Sequence, residues 1–227
     1  MKNLIKVIVF LSALLFFGFL FKKYFYNPKH KTEIAKGEVK KTINKEIQNG
    51  DIIFQTSLSA QSKAIQLATG SKYSHCGLIF RKGSDKKNWY VLEAVQPVKW
   101  TPLTEWIARG KDGHYIIKRF KTDPMLPEGV LLELRKNAEK HLGKDYDLTF
   151  EWSDEKIYCS ELIWKVYNET TGLSVGNLQK LKEFNLDNPI VKSKMTERYG
   201  KNIPLNETVI SPKAIFDDAD LILIDKN

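Results

Sequence analysis

"KIYCSELIWKVY", residues 156–167, holds one of only two cysteines in a chain of 227 residues. A helix beginning at Cys159 gathers Cys159, Leu162, Ile163, Val166 and Tyr167 into one apolar stripe, with Ser160, Glu161, Lys165 and Asn168 on the other side. The stripe alone makes Cys159 a small core residue. Its place in the first turn gives a second reading. Unpaired N–H groups and the positive end of the helix dipole favour a thiolate there, and the same N–H groups can hold an oxyanion. The other cysteine, Cys76, adds a third reading, one half of a disulfide. Glu161 and Lys165 read as an ordinary i,i+4 surface pair without a catalytic part.

The choice depends on what stands earlier in the chain. "YSHCGLIF" (73–80) and "WYVLEAV" (89–95) are apolar runs separated by "RKGSDKKN", the pattern of a β-hairpin. Alternation puts His75, Gly77 and Ile79 on one face and Cys76, Leu78 and Phe80 on the other. The second run is apolar at every position except Glu93, so both faces of that strand are expected to be buried. A buried carboxylate needs a partner. A hairpin centred on Ser84 pairs residues whose numbers sum to 168, which sets His75 opposite Glu93. Such a pair is either a structural ion pair or a carboxylate orienting an imidazole. With Cys159 it makes a nucleophile, base and orienter set.

Around these segments, "NGDIIFQTS" reads as a turn and strand, and "SAQSKAIQLATG" as a short helix closed by Gly70. "PLTEWIARG" reads as a helical turn and "HYIIKRF" as a strand. "PEGVLLELRKNAEKHLG" is a helix with proline at its start and basic residues late. "LQKLKEFN" and "KSKMTERYG" read as short helices, and "ISPKAIFDDADLILI" as a helical turn and final strand. Strands clustered between helices give an α+β fold with a mostly antiparallel sheet packed against helices.

Charge separates the N-terminal arm from the body. Residues 1–45 hold ten lysines against Glu33 and Glu38, whereas residues 46–227 hold 26 basic and 25 acidic side chains. All but one unit of the net charge of +9 therefore belongs to the arm, and the body has no nucleic-acid reading motif. Residues 7–21 carry no charge and are flanked by Lys2, Lys6, Lys22 and Lys23, without a small-x-small cleavage signal. The expected division is a signal or membrane anchor over 1–25, a basic linker over 26–45 and a folded domain over 46–227. The expected location is extracytoplasmic or periplasmic, held at the membrane. No C-x-x-C is present, and His30, His75, His114 and His141 are scattered, so spacing suggests no metal site and no cofactor.

"GDIIFQTS", "SHCGLIF", "VLEAV", "KDYDLTF" and above all "IYCSELIWKVY" resemble the circularly permuted branch of the NlpC/P60 papain-like hydrolases, the YaeF/YiiX type. The order His, Glu, Cys is the one the permutation implies. The resemblance implies a permuted papain-like fold with Cys159 as nucleophile, His75 as general base and Glu93 as third residue, and with Tyr146 and Tyr158 lining the cleft. Cys76 departs from the aliphatic residue more usual after the histidine. It is expected to point away from the catalytic side and to form no disulfide with Cys159. The function implied is a cysteine amidase or peptidase acting through an acyl-enzyme on cell-envelope peptide amides. Two alternatives stand beside it, a lipid-directed thiol acyltransferase or phospholipase-like enzyme and a non-catalytic envelope-binding module.

Overall fold

The computed structural model describes residues 47–83, 85, 87–121 and 126–227. The expected anchor and the whole of the basic linker lie outside the described residues. Among those described, no helix is long and apolar enough to cross a membrane.

β1 (Ile52–Gln55), β2 (His75–Arg81), β3 (Trp89–Glu93), β4 (Lys99–Pro102), β5 (Ile116–Phe120) and β8 (Leu221–Lys226) form one sheet in the order β4-β3-β2-β1-β5-β8. Every pairing in it is antiparallel. The helices are α1 (Ser62–Thr69), α2 (Leu103–Arg109), α3 (Glu128–Glu139), α4 (Cys159–Thr171), α5 (Pro189–Tyr199) and α6 (Pro212–Phe216). The fold is thus α+β with an antiparallel sheet. One segment differs from expectation. "LQKLKEFN" is not a helix: Gln179–Lys180 forms a two-residue strand, β6, paired with β7 (Thr208–Val209), and a 3₁₀ turn follows over Leu181–Glu183. The β7 pairing and a Leu205 carbonyl that accepts from the Lys182 N–H hold this backbone extended or tightly turned.

One face of the sheet carries Ile52, Phe54, Cys76, Leu78, Phe80 and Leu92 into the main core, where Leu162, Ile163 and Val166 of α4 and Leu134 and Ala138 of α3 meet them. Burying one such aliphatic side chain is worth about 1.5–3 kcal/mol, so this face fixes which side of the sheet α4 takes. His75, Gly77 and Glu93 lie on the other face, toward α2, as alternation predicts. The hairpin register is shifted by two from expectation: Leu78 faces Leu92 and Ile79 faces Val91, so the turn is centred on Asp85 and Gly77 falls opposite Glu93. A shift of two keeps every side chain on its face. His75 and Glu93 are therefore diagonal neighbours, with a glycine where a side chain would separate them.

Candidate active site

His75 is the first residue of β2, and the bare Gly77 beside it leaves a gap through which its ring reaches Glu93. A Cβ on Gly77 would stand 2.4 Å from Val91 Cγ1 and 3.1 Å from the Leu92 carbonyl oxygen, so the close approach requires glycine. His75 Nε2 and Glu93 Oε2 are 2.6 Å apart. The Trp106 ring lies 5.7 Å from the imidazole, tilted by 23°, and fixes its plane.

Glu93 has no solvent-exposed surface and is held on all sides. Thr101 Oγ1 donates to Oε1 at 2.6 Å, Trp106 Nε1 to Oε2 at 2.9 Å, and the Arg109 guanidinium to both oxygens at 2.6 Å. Burial alone would raise its pKa, but the hydrogen bonds and charges of His75 and Arg109 overcome this and hold it at about 2. Glu93 is a carboxylate at any physiological pH. None of Thr101, Trp106 and Arg109 is singled out by the sequence reading. The i,i+3 spacing of Trp106 and Arg109 in "PLTEWIARG" is the one signal that places those two on a common helix face.

Cys159 opens α4, whose preceding residue, Tyr158, is extended (φ −107°). The Tyr158 N–H donates to Glu161 Oε2 at 3.3 Å, which satisfies one N–H at the helix start. Cys159 Sγ lies beside Cys76 and the His75 ring, close enough for both to act on its charge. With Nε2 committed to Glu93, Nδ1 is the ring nitrogen left for the sulfur. The Cys76 contact, opposed by burial and supported by the His75 contact and charge, holds the Cys159 thiol well below its ordinary range. Burial would lower the His75 pKa, but bonds to Cys159 and Glu93 override it and lift the imidazole to about 9. Both shifts favour a thiolate beside an imidazolium.

Cys76 corrects one expectation. It does lie on the face opposite His75, but α4 packs on that face, so Cys76 meets Cys159 instead of pointing away from it. His75 reaches the sulfur from the end of its strand. Both cysteines are free thiols, and burial followed by the Cys159 charge pushes the Cys76 thiol well up. The Glu161–Lys165 pair is a second correction. It is not at the surface: Glu161 is fully buried and Lys165 nearly so, with Nζ 3.0 Å from Glu161 Oε1 and 2.8 Å from Asp154 Oδ1. The polar side of α4 is covered by the returning chain, where Ser160 Oγ donates to the Ile210 carbonyl at 2.8 Å.

Tyr146 and Tyr158 both line a groove that opens on Cys159. The Tyr146 hydroxyl accepts from Gln61 Nε2 at 2.9 Å, so its own proton is free to be donated. Burial and the Cys159 charge raise its pKa far above the phenol range. The Tyr158 hydroxyl accepts from the Ile210 N–H at 3.0 Å, which ties it to the returning chain and not to the cleft. The other groove residues are mainly apolar and come from α1, α5 and the tail, among them Ile65, Ala68, Leu181, Val191, Met195 and Ile210.

A six-stranded antiparallel sheet whose histidine strand precedes the cysteine helix is a papain-like fold in permuted order. The chain belongs to the permuted papain-like amidase family, YaeF/YiiX, C92, whose model matches residues 46–224. It is similar to the uncharacterized protein YiiX of Escherichia coli K12, 51% identical over 179 residues, 79% of this chain and 86% of that one. It is also similar to the crystal structure of the metalloprotein YiiX from Escherichia coli O157:H7, with 52% identity and a TM-score of 0.76 over 81% of this chain and 99% of that one. Among the described residues here, no three His, Cys, Asp or Glu side chains come together so as to hold a metal ion.

Proposed function

We propose that the protein is a cysteine hydrolase whose nucleophile is Cys159, with His75 as general acid and base and Glu93 as the residue that orients it. The observation that carries this reading is the 2.6 Å His75–Glu93 bond, with the other side of the same ring on the Cys159 sulfur at the start of α4. The Cys159 thiolate attacks a carbonyl carbon. The tetrahedral oxyanion is met by N–H groups at the helix start and by the Tyr146 hydroxyl. The His75 imidazolium gives its proton to the leaving nitrogen or oxygen as the carbonyl re-forms, which leaves a thioester. His75 then takes a proton from water, and the hydroxide releases the acid product and restores the thiolate–imidazolium pair. Glu93 stays ionised throughout and keeps Nδ1 aimed at the sulfur.

The substrate proposed first is a peptide amide of the cell envelope, reached by a domain exported and held at the membrane through residues 1–25, with no part for nucleic acid. A second reading is favoured by one observation, the apolar lining of the groove at Cys159, which suits a lipid acyl chain better than a polar stem peptide. Incubating the protein and Cys159→Ala with labelled muropeptides and with labelled phospholipid separates the two. Turnover of one substrate that is lost in Cys159→Ala is expected. Turnover that survives the substitution would refute both readings. A non-catalytic envelope-binding module remains the reading if neither substrate turns over while the thiol shows ordinary reactivity.

A further inference from the structure

Cys76 is a thiol beside the nucleophile to which the hydrolase reading gives no chemical step. It is the second residue of β2, opposite Phe54 of β1, on the face of the sheet that α4 covers. The start of α4 sets Cys159 against it, so the only two cysteines of the chain lie side by side, both as free thiols. Their surroundings differ. Cys159 borders the groove and is reached from it, whereas Cys76 has no exposed surface and shares the main core with Phe54, Leu78 and Leu162. One sulfur is open to a small reagent, and the other only to its neighbour.

We infer that Cys76 is a resolving thiol, so that a hydroperoxide entering the groove converts the two cysteines into a reversible disulfide that blocks the nucleophile. The Cys159 thiolate attacks one peroxide oxygen; an S–O bond forms and the O–O bond breaks. The sulfur gives up two electrons and becomes a sulfenic acid, while the departing oxygen takes the His75 proton and leaves as water or an alcohol. The Cys76 sulfur then attacks Cys159 Sγ. The S–S bond forms, the S–O bond breaks, and the hydroxide leaves with the Cys76 proton as water. The peroxide is the sole oxidant, reduced by the two electrons that the pair of thiols loses.

The order of events suits the two environments. Before oxidation, burial and the Cys159 charge keep the Cys76 thiol protonated. A sulfenic acid is neutral, so the restraint from that charge ends at the step in which Cys76 gives up its proton. Joining the sulfurs requires a separation of about 2.05 Å, which neighbouring cysteine side chains approach by turning about χ1. The inference shares with the hydrolase reading the premise of a reactive Cys159 thiolate, and it needs no hydrolysable substrate.

The test uses the full chain, reduced and freed of reductant, then treated with hydrogen peroxide, alkylated with iodoacetamide and digested with trypsin without reduction. In the wild type a peptide joining residues 73–81 to 157–165 is expected, about 2 Da lighter than the two reduced peptides together. Alkylation of Cys159 should fall by about tenfold and return to within about twofold of the untreated level after dithiothreitol. Cys76→Val keeps the position apolar and removes the joined peptide. There an unresolved sulfenic acid passes on to sulfinic acid, so alkylation should stay about fivefold or more below its untreated level after dithiothreitol. Loss of alkylation in the wild type without the joined peptide, joining only between molecules, or equal recovery in the two proteins would overturn the inference. The wild-type peptide decides it even where the variant does not fold. Rapid alkylation of Cys159 in untreated protein that forms no joined peptide leaves the hydrolase reading standing and removes only the resolving role. A joined peptide in a protein that turns over neither labelled muropeptides nor labelled phospholipid does the reverse.

Discussion

Glu93 is the one carboxylate in an apolar strand, and its four partners explain how it stays charged at zero exposure. The sign of its effect on pH follows from the shifts. The pKa of Glu93 is lowered from 4.5 to about 2, so its contribution to stability is complete above about 4.5 and lost as pH falls through about 2. That of His75 is raised from 6.5 to about 9, so its contribution is complete below about 6.5 and lost as pH rises through about 9. Hydrolysis is expected to fall on the alkaline side as the imidazolium deprotonates near that value. Glu93→Gln removes a charge that favours the imidazolium, so this limb should move to lower pH and kcat should fall by about 10²-fold or more. A pH–rate profile of both proteins checks it, and an unmoved alkaline limb would mean that Glu93 does not act through His75. The His75–Glu93 pair was legible in the sequence because an acid in an apolar run demands a partner. Thr101 and Arg109 were not, because nothing in their own segments marks a buried ligand. The Cys76–Cys159 contact was hidden for a different reason: alternation gives a residue's face but not which face a helix will cover.

At the scale of elements, the site depends on a hairpin and a helix start. Gly77 is the position where β2 and β3 tolerate no side chain. Gly77→Ala is expected to cost about 1–3 kcal/mol by overpacking against Val91, measured as a lowered urea midpoint, and to slow Cys159 alkylation by displacing His75. A stable protein with unchanged alkylation would refute this account of the approach. Helix α4 carries a second pH effect. Burial, only partly offset by Lys165, pushes Glu161 up to about 7 from 4.5. An acid that holds its proton more tightly when folded lowers stability as pH rises from about 4.5 to about 7. Glu161→Gln keeps the acceptor for the Tyr158 N–H, so it should match the wild type near pH 4 and be more stable than it at pH 8. The expected gain is on the order of 2–3 kcal/mol, read from urea titrations at the two pH values. The amphipathic pattern located α4 correctly but took its polar side for surface. That side is covered by residues far along the chain, which a helical period cannot report. The hairpin register missed by two because the loop's centre lies at Asp85, and the face survived because the error was even.

The whole molecule gives a purpose to residues 173–227, whose composition decided nothing. β8 extends the sheet beside β5, and the chain between α4 and β8 returns to wall the groove at Cys159 with Leu181, Val191, Met195, Arg198 and Ile210. Filling the groove with Ala68→Trp is therefore expected to lower turnover of the labelled substrate by about tenfold or more. It should leave alkylation of Cys159 by the small reagent iodoacetamide within about twofold. Equal loss of both would point to a damaged fold, not a blocked groove. The permuted order of histidine strand and cysteine helix was readable from short motifs, because each motif carries its own chemistry. The groove was not, since its walls come from single residues on α1, α5 and the tail, each of which reads as ordinary core. All of this folding converges on one claim, that His75 and Cys159 meet as an ion pair. The direct test is the rate of Cys159 alkylation by iodoacetamide against pH, with the labelled peptide identified by mass spectrometry. The account predicts rapid labelling of Cys159 at pH 6, where an ordinary thiol is only about 0.3% ionised, with Cys76 unlabelled, and a slower reaction at that pH in His75→Ala. A rate that rises only through about pH 8.5, and does so identically in His75→Ala, would contradict it.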